Sequence, residues 1–234
     1  MENSIIEVRD YSYTYPDGRL ALDRISFSVG EYECIGIIGP NGAGKTTLLL
    51  SLLGIFRGRG EIKIKGMSLD RKSMRKVRQI MGFVFQDPDT QLFSPTVYED
   101  VAFGPINMEL PLCEVKERVK TALSLVGLPG FSDRISHHLS IGEKKRVALA
   151  SILSMDPEIL LFDEPLSGLD PRGKRLFTKL LGNMKKTKII ATHDLLLVES
   201  LCDRVLVLKD GKLLWQGPPS YILHNEYILE KYGL

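Results

Sequence analysis

The sequence CIGIIGPNGAGKTTLLLSLL, residues 34–53, decides the fold. It begins with a short continuous apolar run, typical of a strand buried on both faces, and ends in an apolar helical pattern. The intervening GPNGAGKTT matches the pattern G-x-x-x-x-G-K-[ST], in which glycines let backbone N–H groups close around phosphate oxygens. A chance match in a chain of 234 residues has a probability on the order of one per cent. The stretch therefore predicts a strand, a phosphate-binding loop and a helix in direct succession.

The phosphate loop, GPNGAGKTT, supplies a set of candidate nucleotide contacts. We expect Lys45 to reach the β- and γ-phosphates of a nucleotide and the Thr46 hydroxyl to hold Mg²⁺. The N-terminus of the following helix adds partial positive charge. The candidate nucleotide-binding residues of the loop are Gly39, Pro40, Asn41, Gly42, Ala43, Gly44, Lys45, Thr46 and Thr47.

The rest of the chain alternates strand and helix patterns, which favours an α/β layer fold. The continuous apolar runs MGFVFQ, EILLFDEP and KIIATHD predict buried strands beside CIGIIG and a mostly parallel core sheet. ISFSVG and EIKIKG alternate apolar and polar residues, which predicts half-exposed strands and an antiparallel β subdomain. RVLVLKDGKLLWQG predicts a hairpin with Asp210 and Gly211 at its turn, and PSYILHNEYILEKYGL predicts a closing helix.

Between Gln86 and Asp156 the strand signal disappears, and EVKERVKTALSLVGL places apolar residues at helical spacing before a glycine. We interpret residues 87–156 as an inserted helical subdomain of a single domain, 1–234, whose core is 1–86 and 157–234. The predicted fold class is α/β, a P-loop nucleotide hydrolase fold with a mostly parallel core sheet, an antiparallel β subdomain and this helical insertion.

Two consecutive carboxylates follow the apolar run ILLF. We expect Asp163 to support the magnesium shell and Glu164 to polarise the attacking water as general base, a role worth roughly 10²–10⁴-fold in rate. Alone, such a pair is more often a solvated turn. The phosphate loop upstream makes the catalytic interpretation the stronger one.

Three further polar residues follow predicted buried strands, where ligands gather in open α/β sheets. Gln86 follows MGFVF, Asp170 ends SGLD, and His193 follows KIIAT. Each alone is typical of a cap or loop residue. Together they predict the surroundings of a γ-phosphate, with Gln86 on metal and water and His193 donating to the phosphate or orienting the water.

LSIGEKKRVALA, residues 139–150, resembles a second phosphate-reading turn about a hundred residues after the first. Ser140 with Glu143 three residues later forms a capping-box pattern before an apolar-faced helix. Such a helix end presents N–H groups and dipole to an anion. A plain capped helix is the alternative if this motif is taken alone.

Together these motifs resemble the nucleotide-binding subunits of ATP-binding-cassette transporters, over essentially the whole chain. GPNGAGKTT is similar to the family's Walker A, Gln86 to its Q-loop, LSIGE to its signature, ILLFDE to its Walker B, SGLD to its D-loop and His193 to its switch histidine. The resemblance implies ATP and Mg²⁺ as ligands, with magnesium held by Thr46, Gln86 and Asp163. It also implies catalysis by Glu164, His193 and Gln86.

The resemblance also explains the second phosphate reader. In the family two subunits lie head to tail, so Ser140, Gly142 and Asp170 are expected to act in trans on a partner's ATP. Ile141 and Glu143 depart from the usual LSGGQ and Leu166 from the commoner Thr or Ser, for which we expect tuning rather than loss. The expected partner is a second cassette, identical or paralogous.

Tyr15 is similar to the family's adenine-stacking aromatic residue. Tyr11 and Tyr13 alternate with it, so a two-faced strand edge with a register slipped by two is an open alternative.

FQDPDTQLFSPTVYEDVAFGP, residues 85–105 and hereafter the coupling segment, resembles energy-coupling-factor importers, especially the cobalt and nickel type. HHLSIGEKKRVALASILSMDPEILLFDEP fits the same group. Leu92 and Phe93 are predicted to be exposed apolar anchors for a transmembrane coupling protein, which works with a substrate-binding membrane component. Packing within the helical subdomain is the alternative for these two residues.

The composition of the chain limits its partners and its location in the cell. The net charge is +2 with Lys and Arg spread along the chain, so we expect no nucleic-acid partner. The longest apolar stretch is about half the roughly 20 residues needed to span a bilayer. Three cysteines without metal or redox spacing and the absence of a secretory apolar core favour reduced cytosol. The resemblance to transporter subunits implies that the chain lies at the cytoplasmic face of the membrane, peripheral to it.

The predicted function is therefore ATP hydrolysis that powers a membrane importer through dimer closure, with cobalt, nickel or another micronutrient as cargo. Two other classes stay open. One is a soluble cassette ATPase that acts on nucleic acid or ribosomes. The other is an ATP-binding regulatory module that does not hydrolyse.

Overall fold

The structure is a computed structural model that describes residues 4–223, 225, 229–230 and 233. The chain forms two compact units. The first unit comprises the chain up to Met81, Ile159–Glu164 and the chain from Lys185 onward, and the second comprises Gly82–Glu158 and Pro165–Met184. The predicted helical subdomain, 87–156, lies within the second unit, which also takes in residues 165–184.

The strands of the described chain are numbered in chain order. Their bounds are β1 Ser4–Thr14, β2 Leu20–Gly30, β3 Cys34–Ile38, β4 Arg59–Ile64, β5 Met67–Ser68, β6 Met81–Val84, β7 Ile159–Asp163, β8 Thr187–Ala191, β9 Arg204–Lys209 and β10 Lys212–Gly217.

The helices are numbered in the same way. Their bounds are α1 Lys45–Leu52, α2 Met74–Ile80, α3 Val97–Asn107, α4 Leu112–Leu125, α5 Ile141–Leu153, α6 Pro171–Asn183, α7 Leu195–Leu201 and α8 Pro219–Leu223, with short 3-10 helices at Pro88–Thr90 and Ser136–His138.

The first unit holds two sheets. One is antiparallel, in the order β2-β1-β4-β5, and contains the predicted half-exposed strands ISFSVG and EIKIKG. In the other, β9, β3, β8 and β7 run parallel in that order, and β10 pairs antiparallel with β9 at the edge. Every residue of β3, β7 and β8 is buried, as their continuous apolar runs predict. The predicted α/β class with a parallel-rich sheet and an antiparallel sheet is confirmed.

Parallel strands place their carboxyl ends at one edge of the sheet. The phosphate loop leaves β3 at this edge, Asp163 ends β7, and Thr192 follows β8. The fold of the first unit therefore gathers the phosphate loop and the residues after two neighbouring strands at one place.

The second unit contains the helices α3, α4, α5 and α6. The helix predicted from EVKERVKTALSLVGL is α4, whose buried side chains keep the helical spacing of the sequence pattern. We did not predict α6. Its start is visible in the sequence after the fact, because Asp170 caps the helix and Pro171 opens it, and Phe177 and Leu181 are its buried residues.

The end of the chain holds the predicted hairpin, β9 to β10. Asp210 and Gly211 both have positive φ, at 50° and 74°, as a tight two-residue turn requires. Of the predicted closing helix the structure contains α8, Pro219–Leu223; residues 224, 226–228, 231–232 and 234 lie outside the described residues. In the part of the chain that the structure describes, no helix combines the length and apolar character needed to cross a membrane.

Candidate nucleotide site

The phosphate loop is built for a close backbone path. Gly39 has φ 154°, and a Cβ there would lie 2.0 Å from the Leu208 carbonyl oxygen of β9. Gly44 caps α1 with φ 103°, and a Cβ there would lie 2.7 Å from the Ala21 carbonyl oxygen. The hairpin turn supports the loop from the same side, because the Gly211 amide donates to the Ala43 carbonyl at 3.1 Å. Side chains at Gly39 or Gly44 would force the loop away from its neighbours.

Lys45 folds back over this loop. Its Nζ donates to the Gly39 carbonyl at 2.7 Å and to the Pro40 carbonyl at 3.1 Å, and the residue is only 8% exposed. Burial lowers the pKa of Lys45, whereas the charges of Glu164 and Asp163 act in the opposite direction. The ammonium group is thus held across the loop, where it can meet the phosphates of a bound nucleotide.

The donor set for magnesium in the first unit consists of hard oxygens. The Thr46 hydroxyl donates to Asp163 Oδ2 at 2.8 Å, and Asp163 is buried at the end of β7. A hydroxyl and a carboxylate beside a phosphate loop fit Mg²⁺, which takes few protein ligands and completes its shell with phosphates and water. Gln86, the third predicted ligand, belongs to the second unit.

Glu164 is held by its backbone and by its side chain. It adopts φ 46°, uncommon for a residue with a side chain, and its amide donates to the Ala191 carbonyl at 2.8 Å. Oε1 accepts from the His193 backbone N–H at 3.1 Å. Oε2 accepts from Thr192 Oγ1 at 3.1 Å and lies 2.9 Å from His193 Nδ1. The structure therefore brings the predicted general base and the predicted switch histidine into direct contact.

Exposure differs sharply between these two side chains. Glu164 is buried, whereas the side chain of His193 is 71% exposed. The imidazole is thus open to a group from solvent, while the carboxylate is enclosed at the ends of β7 and β8.

Thr192 is a site residue that the sequence analysis missed. It is fully buried, and its hydroxyl donates to Glu164 and accepts from the Asp194 amide at 3.0 Å. A threonine at the end of a buried strand gives no chemical signal in the sequence. Thr192 reaches Glu164 only because β8 pairs with β7 in the sheet.

We expect Thr192→Val to lower kcat for ATP hydrolysis about tenfold. The reason is that the carboxylate of Glu164 loses one of the hydrogen bonds that orient it. The KM for ATP should stay within about twofold, since the hydrogen bonds that the structure gives Thr192 go to Glu164, the Asp194 amide and the Ile37 carbonyl.

Thr187→Val is the matched control, because Thr187 is buried at the opposite end of β8 and its hydroxyl accepts from the Tyr32 amide at 2.8 Å. Steady-state kinetics at saturating Mg-ATP, together with thermal unfolding, would separate the two variants. Equal kcat values would show that Thr192 serves stability alone.

Tyr15, the predicted adenine-stacking residue, lies beside the helix that follows the loop. Its hydroxyl is 2.8 Å from Thr47 Oγ1. The rings of Tyr13 and Phe56 form T-shaped contacts with its ring, with centroids 5.1 and 5.6 Å away, and the Arg19 guanidinium lies 4.8 Å from the ring centroid. Phe56 and Arg19 are neighbours that the sequence analysis did not identify.

The signature residues lie in the second unit. Ser140 caps α5 and forms the predicted capping box: its hydroxyl accepts from the Glu143 amide, and its own amide donates to Glu143 Oε2 at 2.8 Å. Hydrogen bonds from the Ser140 side chain and backbone hold the pKa of Glu143 below its usual value. The capping box is therefore confirmed, and it fixes the start of the signature helix.

A cavity of about 360 Å³ joins the signature to the D-loop, and we call it the signature cavity. It brings together three predicted residues, Ser140, Gly142 and Asp170. Ile141 is 42% exposed beside them, and Leu166 is buried. The cavity is lined by Ser140, Gly142, Glu143, Arg146, Leu169, Asp170, Arg172, Gly173, Leu176 and Phe177.

The coupling segment is tied to the signature helix within the second unit. Lys145 Nζ donates to the Gln86 carbonyl at 2.8 Å, and Gln91 Nε2 donates to the Ala148 carbonyl at 2.7 Å. Lys144 forms an ion pair with Asp89 at 2.7 Å. These hydrogen bonds and this ion pair therefore link the coupling segment directly to α5.

The prediction that Leu92 is an exposed anchor is wrong. Leu92 is 2% exposed, whereas Phe93 is 61% exposed and contacts Phe103 edge to face at 5.0 Å. The buried Asp100 carboxylate accepts from the Phe93 and Ser94 amides at 3.0 and 2.9 Å, which fixes the turn. Of the two predicted anchor residues the structure therefore exposes Phe93 alone, in contact with the exposed Phe103.

The first unit has the groups that a nucleoside triphosphatase of the P-loop class needs at the ends of parallel strands. Sequence comparison then gives the family. The model of the ABC transporter family matches residues 22–167, so the chain belongs to that family. It is an ATPase, and ATP with Mg²⁺ is the nucleotide that its family uses.

Two similar sequences are energy-coupling factor transporter ATP-binding proteins called EcfA. That of Methanocaldococcus jannaschii is 48% identical over 98% of this chain and 85% of its own length. That of Methanothermobacter thermautotrophicus is 47% identical over 98% of this chain and 76% of its own length.

Two solved structures are also similar. The cbiO1 protein of Clostridium perfringens, described as part of the ABC transporter complex cbiONQ, has a TM-score of 0.88 and 42% identity, covering 98% of this chain and 94% of its own. A dimeric ATP-binding cassette bound to ADP and Pi has a TM-score of 0.82 and 27% identity, covering 92% of this chain and 98% of its own.

Proposed function

We propose that this chain is the ATP-hydrolysing subunit of an importer of the energy-coupling-factor class. The observation that carries the proposal is that one chain holds both a triphosphatase site, in the first unit, and a signature cavity, in the second. The similarity to EcfA proteins over 98% of the chain supports the importer class.

Nucleotide binding is assigned to the phosphate loop and Tyr15. The loop amides and Lys45 bind the β- and γ-phosphates, and Tyr15 stacks on adenine. Thr46, Asp163 and Gln86 hold Mg²⁺, which neutralises charge on the phosphate oxygens when it is bound.

Hydrolysis is assigned to Glu164, with His193 as its partner. A water oxygen forms a bond to the γ-phosphorus while the bond from that phosphorus to the bridging oxygen breaks, and ADP leaves with the electron pair. Glu164 takes the proton of the attacking water. His193 donates to the γ-phosphate or orients the water, and Gln86 is assigned to the metal and the water. The contacts of Glu164 with Thr192 and His193 support a carboxylate held in one orientation.

The second unit of one subunit acts on the ATP of the other subunit. Two subunits bind ATP head to tail, and Ser140, Gly142 and Asp170 of one subunit close over the ATP bound to the phosphate loop of the other. Closure does work only because ATP binds the closed dimer more tightly than the open one. The second subunit is an identical copy or a paralogue.

A membrane partner docks on the second unit. The exposed pair Phe93 and Phe103 provides an apolar anchor for a helix of a transmembrane coupling protein, and a substrate-binding membrane component completes the importer. The ties from Gln86 and Gln91 to α5 support a path from this anchor to the signature. The subunit is then peripheral, at the cytoplasmic face of the membrane.

Cobalt or nickel is the proposed cargo, with another micronutrient such as a vitamin as the alternative. The coupling segment resembles that of the cobalt and nickel type of importer, and the similarity to cbiO1 supports the same assignment.

Uptake in the source organism tests this function. With the chain replaced by Glu164→Gln at equal protein level, uptake of labelled Ni²⁺ or Co²⁺ should fall at least about tenfold, because import needs turnover. Uptake of both ions equal to that of wild type would contradict the cargo. Normal uptake of every micronutrient tested would contradict the importer class.

A further inference from the structure

The signature cavity is lined by four charged side chains, and three of them form hydrogen bonds within the second unit. Glu143 accepts from the Ser140 amide and hydroxyl. Asp170 accepts from the Gly173 amide at 2.9 Å. Arg146 donates to the carbonyls of three residues, Gly142, Val126 and Gly127.

Arg172 is the fourth, and it differs from the others. Across the described ranges, 4–223 and the few residues beyond, no hydrogen bond or ion pair joins Arg172 to the chain. Arg172 is the second residue of α6; it lines the cavity and is exposed to solvent. Its five donors are therefore available to a group outside this subunit.

Arg172 lies in the first turn of α6, which contains no acidic residue and is capped by the Asp170 carboxylate. The partial positive charge of a helix N-terminus disfavours a cation in the first turn, and the capping carboxylate offsets part of this effect. An anion from outside the subunit would stabilise Arg172 further.

We propose that Arg172 binds the terminal phosphates of the ATP that is held by the phosphate loop of the second subunit. The inference rests on the trans arrangement of the proposed function, and it adds a residue to it. Arg172 shares a cavity with Ser140 and Gly142, the residues assigned to that ATP. A planar guanidinium matches phosphate oxygens with two parallel hydrogen bonds, which an ammonium group cannot do.

The test uses the full chain with Glu164→Gln as parent, so that bound ATP persists. Sedimentation velocity gives the Mg-ATP concentration at half-maximal dimerisation. We expect Arg172→Ala to raise this concentration roughly tenfold and Arg172→Glu to raise it further, as loss of a charge-assisted hydrogen bond implies. Arg172→Lys should fall between Ala and the parent.

Arg175→Ala is the matched control, because Arg175 is exposed on the same helix and does not line the cavity. It should dimerise within about twofold of the parent concentration. Self-association without nucleotide, at higher protein concentration, should be the same for parent and Arg172→Ala if the arginine acts on phosphate.

The outcomes are distinct. If the parent dimerises and Arg172→Ala needs the same Mg-ATP concentration for half-maximal dimerisation, this inference is wrong and the trans arrangement stands. Equal weakening with and without nucleotide would also overturn it, since Arg172 would then bind a carboxylate of the partner protein. A parent that stays monomeric at saturating Mg-ATP would overturn the trans arrangement and this inference with it.

Discussion

Glu164→Gln is expected to lower the ATP turnover of the purified protein by about 10²–10⁴-fold and to leave Mg-ATP binding intact. The amide has nearly the same shape as the carboxylate but cannot take a proton from the attacking water. Its oxygen can still accept from the His193 N–H, and its nitrogen can donate to Thr192 Oγ1, so the local fold should persist.

Phosphate release measured at saturating Mg-ATP checks this expectation. Glu117→Gln is the matched control, because Glu117 is exposed on α4 and should keep wild-type turnover. Thermal unfolding of both variants would verify that the fold is intact. A Glu164→Gln protein with full turnover would rule out Glu164 as the general base.

Lys45→Ala is expected to weaken Mg-ATP binding by at least about 100-fold, because it removes the one side-chain cation that the structure, over its described residues, holds across the phosphate loop. The loop itself should survive the change. The turn at Gly39 and Gly44 is set by the backbone path beside β9 and Ala21.

Isothermal titration calorimetry with Mg-ATP checks this second expectation. Lys116→Ala, an exposed site on α4, serves as the matched control and should bind ATP like the wild type. Glu164→Gln and Lys45→Ala together separate binding from chemistry. We expect Glu164→Gln to bind ATP without hydrolysing it, and Lys45→Ala neither to bind nor to hydrolyse it. A Lys45→Ala protein that binds Mg-ATP within about threefold of wild type would remove Lys45 from the phosphate site.

Much of the first unit could be predicted from the sequence, because its signals are local. Buried parallel strands are continuous apolar runs, and the phosphate loop is a contiguous pattern of residues between one strand and one helix. Once the parallel sheet was expected, Asp163 and Glu164 were expected near the loop, because parallel strands bring their carboxyl ends to one edge of the sheet. In the structure Asp163 ends β7, which β8 separates from β3.

What could not be predicted depends on contacts between distant residues. Leu92 and Phe93 are adjacent and both apolar, and only the Asp100 hydrogen bonds and the packing of the second unit decide that one is buried and the other exposed. Thr192 becomes a site residue through the pairing of β7 with β8. Arg172 stands out only when its cavity and the contacts of its neighbours are known.

The central claim is that ATP hydrolysis by this chain serves a membrane importer, and co-purification tests it most directly. Tagged Glu164→Gln protein would be extracted from native membranes in mild detergent with Mg-ATP, beside the same protein carrying Phe93→Asp or, as control, Leu214→Asp, an exposed site on β10. We expect a multi-span membrane protein that co-purifies with the parent and the control and is lost with Phe93→Asp. Recovery of the protein only with ribosomes, nucleic acid or itself would contradict the importer and place the same ATPase chemistry in a soluble process.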